Sequence, residues 1–152
     1  MQLHQFIREH EEIILERAFE ASQRGQHQDE AATRSRLSHL LELTIETLKE
    51  KNIAHILNWA RDLAQDRFKS GLPLTEIQMS MNVIEEAIWQ QCMDLLPPEA
   101  LARALGLSNS VLVAAKTGLA RSYVAMATGN DVPPLGWNSH EVVFEEVVQP
   151  IS

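Results

Sequence analysis

Hydrophobic residues recur at intervals of three and four positions along most of the chain, with polar residues between them. This spacing places the apolar side chains on one face of an α-helix. The chain is therefore predicted to be an all-α single domain, globin-like or bundle-like, with about five long helices, one short helix and a C-terminal extension. The predicted helices cover residues 2–23, 30–51, 53–69, 75–95, 99–105 (the short one) and 109–128.

Turn and capping residues separate the first three predicted helices. Gly25 ends the first helix, and Asp29 has a side chain suited to cap the second. Asn52 marks a break or a cap before the third. The third helix ends at Gly71, which favours the left-handed backbone that often follows a helix. Residues 72–74 (Leu-Pro-Leu) then predict a rigid corner.

Similar signals divide the second half of the chain. Thr75 with Gln78 three residues later is a capping-box signature for the fourth helix. Two consecutive prolines at 97–98 end that helix, and the second of them can open the short helix. Gly106 is expected to stop the short helix and Ser108 to cap the last one.

The last predicted helix, residues 109–128, is apolar on nearly all its faces. Helices of this kind lie in the centre of a fold or in an interface. Val113, Ala120 and Val124 are therefore predicted to lie in an interface or in the central core, and the chain is predicted to form a homodimer.

The composition changes after this helix, which predicts a helical domain over residues 1–128 and a C-terminal extension over 129–152. Residues 130–136 have the composition of a turn. Residues 141–149 have a spacing that suits a helix and a β-branched content that suits a strand, and the pattern does not decide between them. An apolar extension of this kind is expected to dock on its own domain or on a second copy.

The charge distribution excludes some classes of partner. The net charge is −8, and residues 71–152 carry nine acidic residues against three basic ones. Such a surface repels phosphates, so neither nucleic acid nor an anionic membrane is expected as a partner. The first ten residues lack the apolar core of a signal peptide, and no apolar run is long enough to span a bilayer. The cytoplasm is the expected compartment.

The sequence contains no recognisable catalytic or metal-binding motif. Its single cysteine, Cys92, lies in an apolar stretch and is expected to be a buried free thiol. The six histidines show none of the spacings of a zinc site, and the glycine-rich and nucleophile motifs of common enzymes are absent. No catalytic residue and no metal ligand are therefore assigned, and the chain is predicted not to be an enzyme.

A ligand-binding sensor is the alternative function. A single histidine on a helix is enough to ligate haem iron, and the chain has the length of a globin. A pocket for haem or another small molecule is expected near His55, Trp59 and Met81 if one exists. Phenylalanines are few for a haem pocket, so the expectation is that the domain holds no cofactor.

Three segments resemble a known family. They are residues 58–64 (NWARDLA), 68–77 (FKSGLPLTEI) and 84–89 (IEEAIW). They are similar to the N-terminal domain of RsbT co-antagonist (RsbR-type) proteins, in which a helix, a glycine-containing corner and a further helix follow in this order. The resemblance is clearest over residues 53–92.

The resemblance implies a function in signalling. Domains of this kind act as input domains in front of histidine kinases, STAS domains and transcription regulators, and members described as globin-like lack haem. The chain is accordingly predicted to be a sensor or regulatory domain in a stress response. It would act by protein–protein interaction and helix repacking on an output protein such as a kinase or a STAS-type regulator.

Overall fold

The computed structural model describes residues 1–24 and 29–129. Helices account for nearly all of this part of the chain and form an all-α single domain. The six helices are α1 (Leu3–Glu9), α2 (Glu11–Gln23), α3 (Glu30–Glu50), α4 (Ala54–Lys69), α5 (Thr75–Leu95) and α6 (Pro98–Thr128). The C-terminal extension beyond Gly129, with the undecided segment 141–149, lies outside the described residues, as do Gly25, the predicted end of the first helix, and His27.

The first predicted helix is divided in two at His10. This residue leaves the helical conformation at φ −111° and ψ 19°, which ends α1 and starts α2. Its ring nitrogen Nδ1 lies 2.7 Å from the carbonyl oxygen of Phe6, and the two rings contact each other at 4.5 Å between centroids. A single helix over residues 2–23 was therefore a wrong prediction. The apolar spacing continues across the break, so the pattern gave no sign of it.

The short helix predicted at residues 99–105 is also wrong, because α6 runs without interruption through Gly106 and Ser108. Gly106 keeps a helical backbone, and Ser108 donates its hydroxyl to the carbonyl oxygen of Leu105 instead of capping a new helix. A glycine inside a helix costs about 1 kcal/mol relative to alanine. Burial of Ala104 and Leu107 on either side offsets this cost.

Several of the predicted helix ends are confirmed. The carboxylate of Asp29 accepts hydrogen bonds from the backbone N–H groups of Ala31 and Ala32, at 3.0 and 3.4 Å. Gly71 and Gly129 have φ values of +66° and +71°. Both glycines thus adopt the left-handed conformation that terminates a helix at low steric cost.

The capping box at Thr75 does not form. Leu74 occupies the N-cap position of α5 with no side-chain hydrogen bond, and Thr75 is already the first residue of the helix. The N–H groups of Ile77 and Gln78 both bond to the carbonyl oxygen of Leu74, as in the first turn of an ordinary helix, so the helix starts at Thr75 without a side-chain cap.

The core is one cluster to which all six helices contribute. Helix α5 packs against α2, α3 and α6, and α6 packs against α3, α4 and α5. Cys92 is fully buried in this cluster, as predicted, and burial raises the pKa of its thiol to about 12. The thiol is therefore neutral and unreactive in the folded domain.

Candidate functional surfaces

Helix α6 has two apolar faces with different environments. Its inner face is fully buried against the other helices and includes Val111, Leu112, Ala115 and Leu119. On the opposite face Val113 is 37% exposed and Val124 is 58% exposed. Helix α6 is thus apolar on nearly all its faces for two reasons. Its inner side forms part of the core, and its outer side exposes further apolar residues to solvent.

The three predicted interface residues lie on this outer face. Successive residues turn by about 100° around a helix, so positions 113, 120 and 124 fall within about 40° of one another. Ala120 is half-buried between the two exposed valines. Because Val113 and Val124 are exposed to solvent, they do not lie in the central core. That they lie in an interface stays a prediction. We call these three residues the α6 outer face.

A second exposed apolar surface lies where α4, the corner and the end of α6 meet. The ring of Tyr123 contacts the ring of Phe68 edge-on, with 5.7 Å between centroids, and its hydroxyl donates to the carbonyl oxygen of Leu72 at 3.4 Å. Phe68 is 38% exposed and Leu72 is 46% exposed. We call Phe68, Leu72 and Tyr123 the corner patch. The corner was predicted from residues 72–74, but its contact with α6 was not.

An ionic cluster joins three helices beside the corner. Oε2 of Glu76, in the first turn of α5, lies 3.5 Å from Nη2 of Arg36 on α3 and 3.6 Å from Nη1 of Arg67 on α4. Both arginine side chains are mostly buried. One carboxylate thus lies between two guanidinium groups, and it also lies at the positive end of the α5 dipole.

A polar cleft of about 190 Å³ lies between α2 and α5. Arg17 lines it and pairs through Nη2 with Oδ2 of Asp94 at 2.9 Å, whereas its Nη1 is buried without a hydrogen-bond partner. The other lining residues are Glu20, Ala21, Arg24, Val83, Glu86, Ala87 and Gln90. Sequence analysis missed this cleft because its charged residues have the spacing of an ordinary solvated helix face.

The suggested ligand residues occupy different environments. His55 is exposed, with Nε2 at 3.5 Å from Oε2 of Glu50. Trp59 follows one turn later on the same helix and is half-buried, with its ring 6.2 Å from that of His39. Met81 is fully buried in the core. The structure thus places His39, which was not among the suggested residues, beside Trp59.

No group of three or more histidine, cysteine, aspartate or glutamate side chains is arranged to hold a metal ion within residues 1–24 and 29–129. No helix in the same ranges has the length and apolar content needed to cross a membrane.

A comparison with protein families identifies the fold as a known domain. The family model for the RsbT co-antagonist protein rsbRD N-terminal domain matches residues 4–128, which begin within α1 and end at the last residue of α6. The chain belongs to this family. The suspected RsbR-type resemblance is thereby confirmed, and the match extends well beyond the three segments on which it was based.

Membership in this family indicates a regulatory domain of a stress-signalling pathway and not a known class of enzyme. No curated protein and no solved structure matches the chain.

Proposed function

We propose that this chain is a signal-input domain that forms a homodimer through the α6 outer face and controls an output protein by helix repacking. The observation that carries the proposal is the exposed apolar surface of Val113 and Val124 on the longest helix of the domain. Membership in the co-antagonist family supports the regulatory part of the proposal.

A second copy of the chain is a suitable partner for the α6 outer face. Two-fold symmetry brings the same surface of both copies together, so a helix face without charge at its centre is self-complementary. The small side chain of Ala120 lies between the valines and allows two helices to approach closely. The charged residues Arg103 and Arg121 lie beside the face and would remain at its rim.

Contacts within the domain offer a route for the signal from this face. The inner side of α6 packs on α3, α4 and α5, and Nζ of Lys116 lies 3.3 Å from Oε2 of Glu85 on α5. Because protein interiors are close-packed, a rotation or shift of α6 in the dimer has to be accommodated by these helices. In this proposal the domain works in the cytoplasm, and the output protein is a kinase or a STAS-type regulator.

The dimer is tested by size-exclusion chromatography with light scattering over a hundredfold range of concentration. We expect the mass of a dimer at the upper end and dissociation on dilution. A chain that remains monomeric throughout, and that captures no kinase or STAS-type protein of its own organism, would overturn the proposal.

A sensor for a small molecule is the alternative, and the cleft between α2 and α5 is the observation that favours it. The buried and unpaired Nη1 of Arg17 is a donor that an anionic or carbonyl-containing ligand would satisfy. Native mass spectrometry should then reveal a bound ligand that is missing from the variant Arg17→Ala. Protein without any bound ligand in every preparation would exclude a small-molecule sensor at this cleft.

A haem sensor is a separate possibility. It requires that the purified protein shows a Soret band after haem addition and that His55→Ala loses this band.

A further inference from the structure

The corner patch is a preformed apolar surface. The edge-on contact between Phe68 and Tyr123 and the hydrogen bond from Tyr123 to the carbonyl oxygen of Leu72 hold its three residues in fixed positions. Large apolar side chains that lie together and remain accessible to solvent commonly mark an interaction site. The remaining question is which molecule covers the patch.

The chain itself continues from a point close to the patch. Tyr123 precedes the helix end at Gly129 by six residues, which corresponds to about 9 Å along the axis. The first large apolar residue after this end is Trp137, and eight extended residues span at most about 28 Å. The patch is therefore within reach of the extension. Its apolar residues from that point to position 148 are Trp137, Val142, Val143, Phe144, Val147 and Val148.

The charges of the extension and of the patch surroundings are complementary. Residues 130–152 include four acidic residues and neither lysine nor arginine. Lys69 follows Phe68 directly, at the end of α4. Lys69 is exposed and forms no ion pair within the described ranges. An acidic apolar segment thus suits this surface better than a basic one.

We propose that residues 137–148 dock on the corner patch of their own chain, with their apolar side chains on Phe68, Leu72 and Tyr123 and their acidic groups near Lys69. The segment is tethered by a short linker, which gives it an effective concentration on the order of millimolar at this site. A second copy or an output protein at micromolar concentration competes poorly against that value. Docking in cis is therefore favoured, and it does not depend on the proposed function.

The experiment is hydrogen–deuterium exchange of the full chain followed by mass spectrometry, at a concentration where the chain is monomeric and at one tenfold higher. We expect peptides within residues 137–148 to exchange at least tenfold more slowly than an unstructured peptide at both concentrations. The substitution Leu72→Glu places a negative charge in the patch and should abolish this protection.

A matched control is Met93→Glu. Met93 is 55% exposed, similar to Leu72, but it lies near the opposite end of α5 from the corner. This variant should keep the protection of residues 137–148. If Leu72→Glu also increases exchange in α4 or α6, the variant Lys69→Glu decides instead, because it changes only an exposed cation.

Three results would overturn the proposal. Exchange of residues 137–148 at the rate of an unstructured peptide means that the segment does not dock. Protection that is present only at the higher concentration means that the patch of a second copy holds it. Protection that survives both Leu72→Glu and Lys69→Glu means that the segment docks elsewhere.

Discussion

Arg8 of α1 and Glu42 of α3 form a two-point ion pair, with both nitrogen–oxygen distances at 2.6 Å. The pair matters because the break at His10 leaves α1 as a separate helix of seven residues, too short to be stable alone. Burial of Leu3, Phe6 and Ile7 attaches its inner side to the core. The ion pair fixes its outer side to α3.

We expect Glu42→Gln to lower the free energy of unfolding by about 0.5 kcal/mol at pH 7, a small value because both side chains are more than one third exposed and screened by solvent. Hydrogen bonds from Arg8 hold the pKa of Glu42 below its ordinary value of 4.5. A lowered carboxyl pKa stabilises the fold above the unfolded-state pKa, and this contribution is lost as the pH falls through the folded-state value. Urea unfolding should therefore show a difference between wild type and variant that persists down to pH 4.5 and shrinks below it.

The control for this prediction is Glu46→Gln, one turn further along α3. Glu46 is exposed and forms no ion pair in the described part of the chain. Its substitution should change the free energy of unfolding little at either pH. Equal effects of the two variants would mean that the Arg8–Glu42 pair contributes nothing specific.

The exposure of the α6 outer face narrows the expected effect of a charged substitution at Val124 to the dimer alone. Val124→Glu could have unfolded the domain if Val124 were in the core, but an exposed fraction of 58% means that a carboxylate there stays hydrated. We expect an unchanged fold and at least a tenfold weaker dimer, equivalent to about 1.4 kcal/mol. Light scattering measures the dimer, and circular dichroism measures the fold.

Met93→Glu serves as the control for the dimer, since Met93 is similarly exposed but lies on α5. It should dimerise like the wild type. A Val124→Glu chain that dimerises with unchanged affinity would show that the α6 outer face is not the interface.

The sequence predicted most of this fold but not its breaks. Long apolar stripes place the helices, and Asp29 and Gly129 act locally, so their caps could be inferred. The predictions at His10, Gly106 and Thr75 were wrong. The sequence cannot show that Gly106 is held in a continuous helix by the burial of its neighbours, or that His10 interacts with Phe6 rather than extending the helix.

The candidate surfaces were predictable only in part. The apolar character of α6 identified Val113, Ala120 and Val124, because one helix could not bury all its faces in a small domain. The corner patch and the cleft at Arg17 bring together residues more than 50 positions apart. The spacing of apolar residues describes one helix at a time, so it contains no information about contacts between residues of different helices.

Gly106 offers a test of the uninterrupted α6. Its backbone is helical and a Cβ atom there would meet nothing within 4 Å, so Gly106→Ala should raise the free energy of unfolding by about 0.5–1 kcal/mol. Gly129→Ala should lower it, because φ there is +71°. Urea unfolding of both variants in the monomeric Val124→Glu background keeps helix pairing out of the comparison. Destabilisation by Gly106→Ala would contradict a continuous helix.

The cluster around Glu76 predicts a larger effect than the Arg8–Glu42 pair. Glu76→Gln leaves the mostly buried guanidinium groups of Arg36 and Arg67 facing each other without a carboxylate. We expect the free energy of unfolding to fall by about 1–2 kcal/mol, less than for a fully buried pair because Glu76 itself is partly exposed. Glu99→Gln is the matched control: Glu99 also lies in the first turn of a long helix, so both substitutions remove the same favourable interaction with a helix dipole. If the two variants lose equal stability, the dipole accounts for the whole effect and the three-helix cluster contributes none of it.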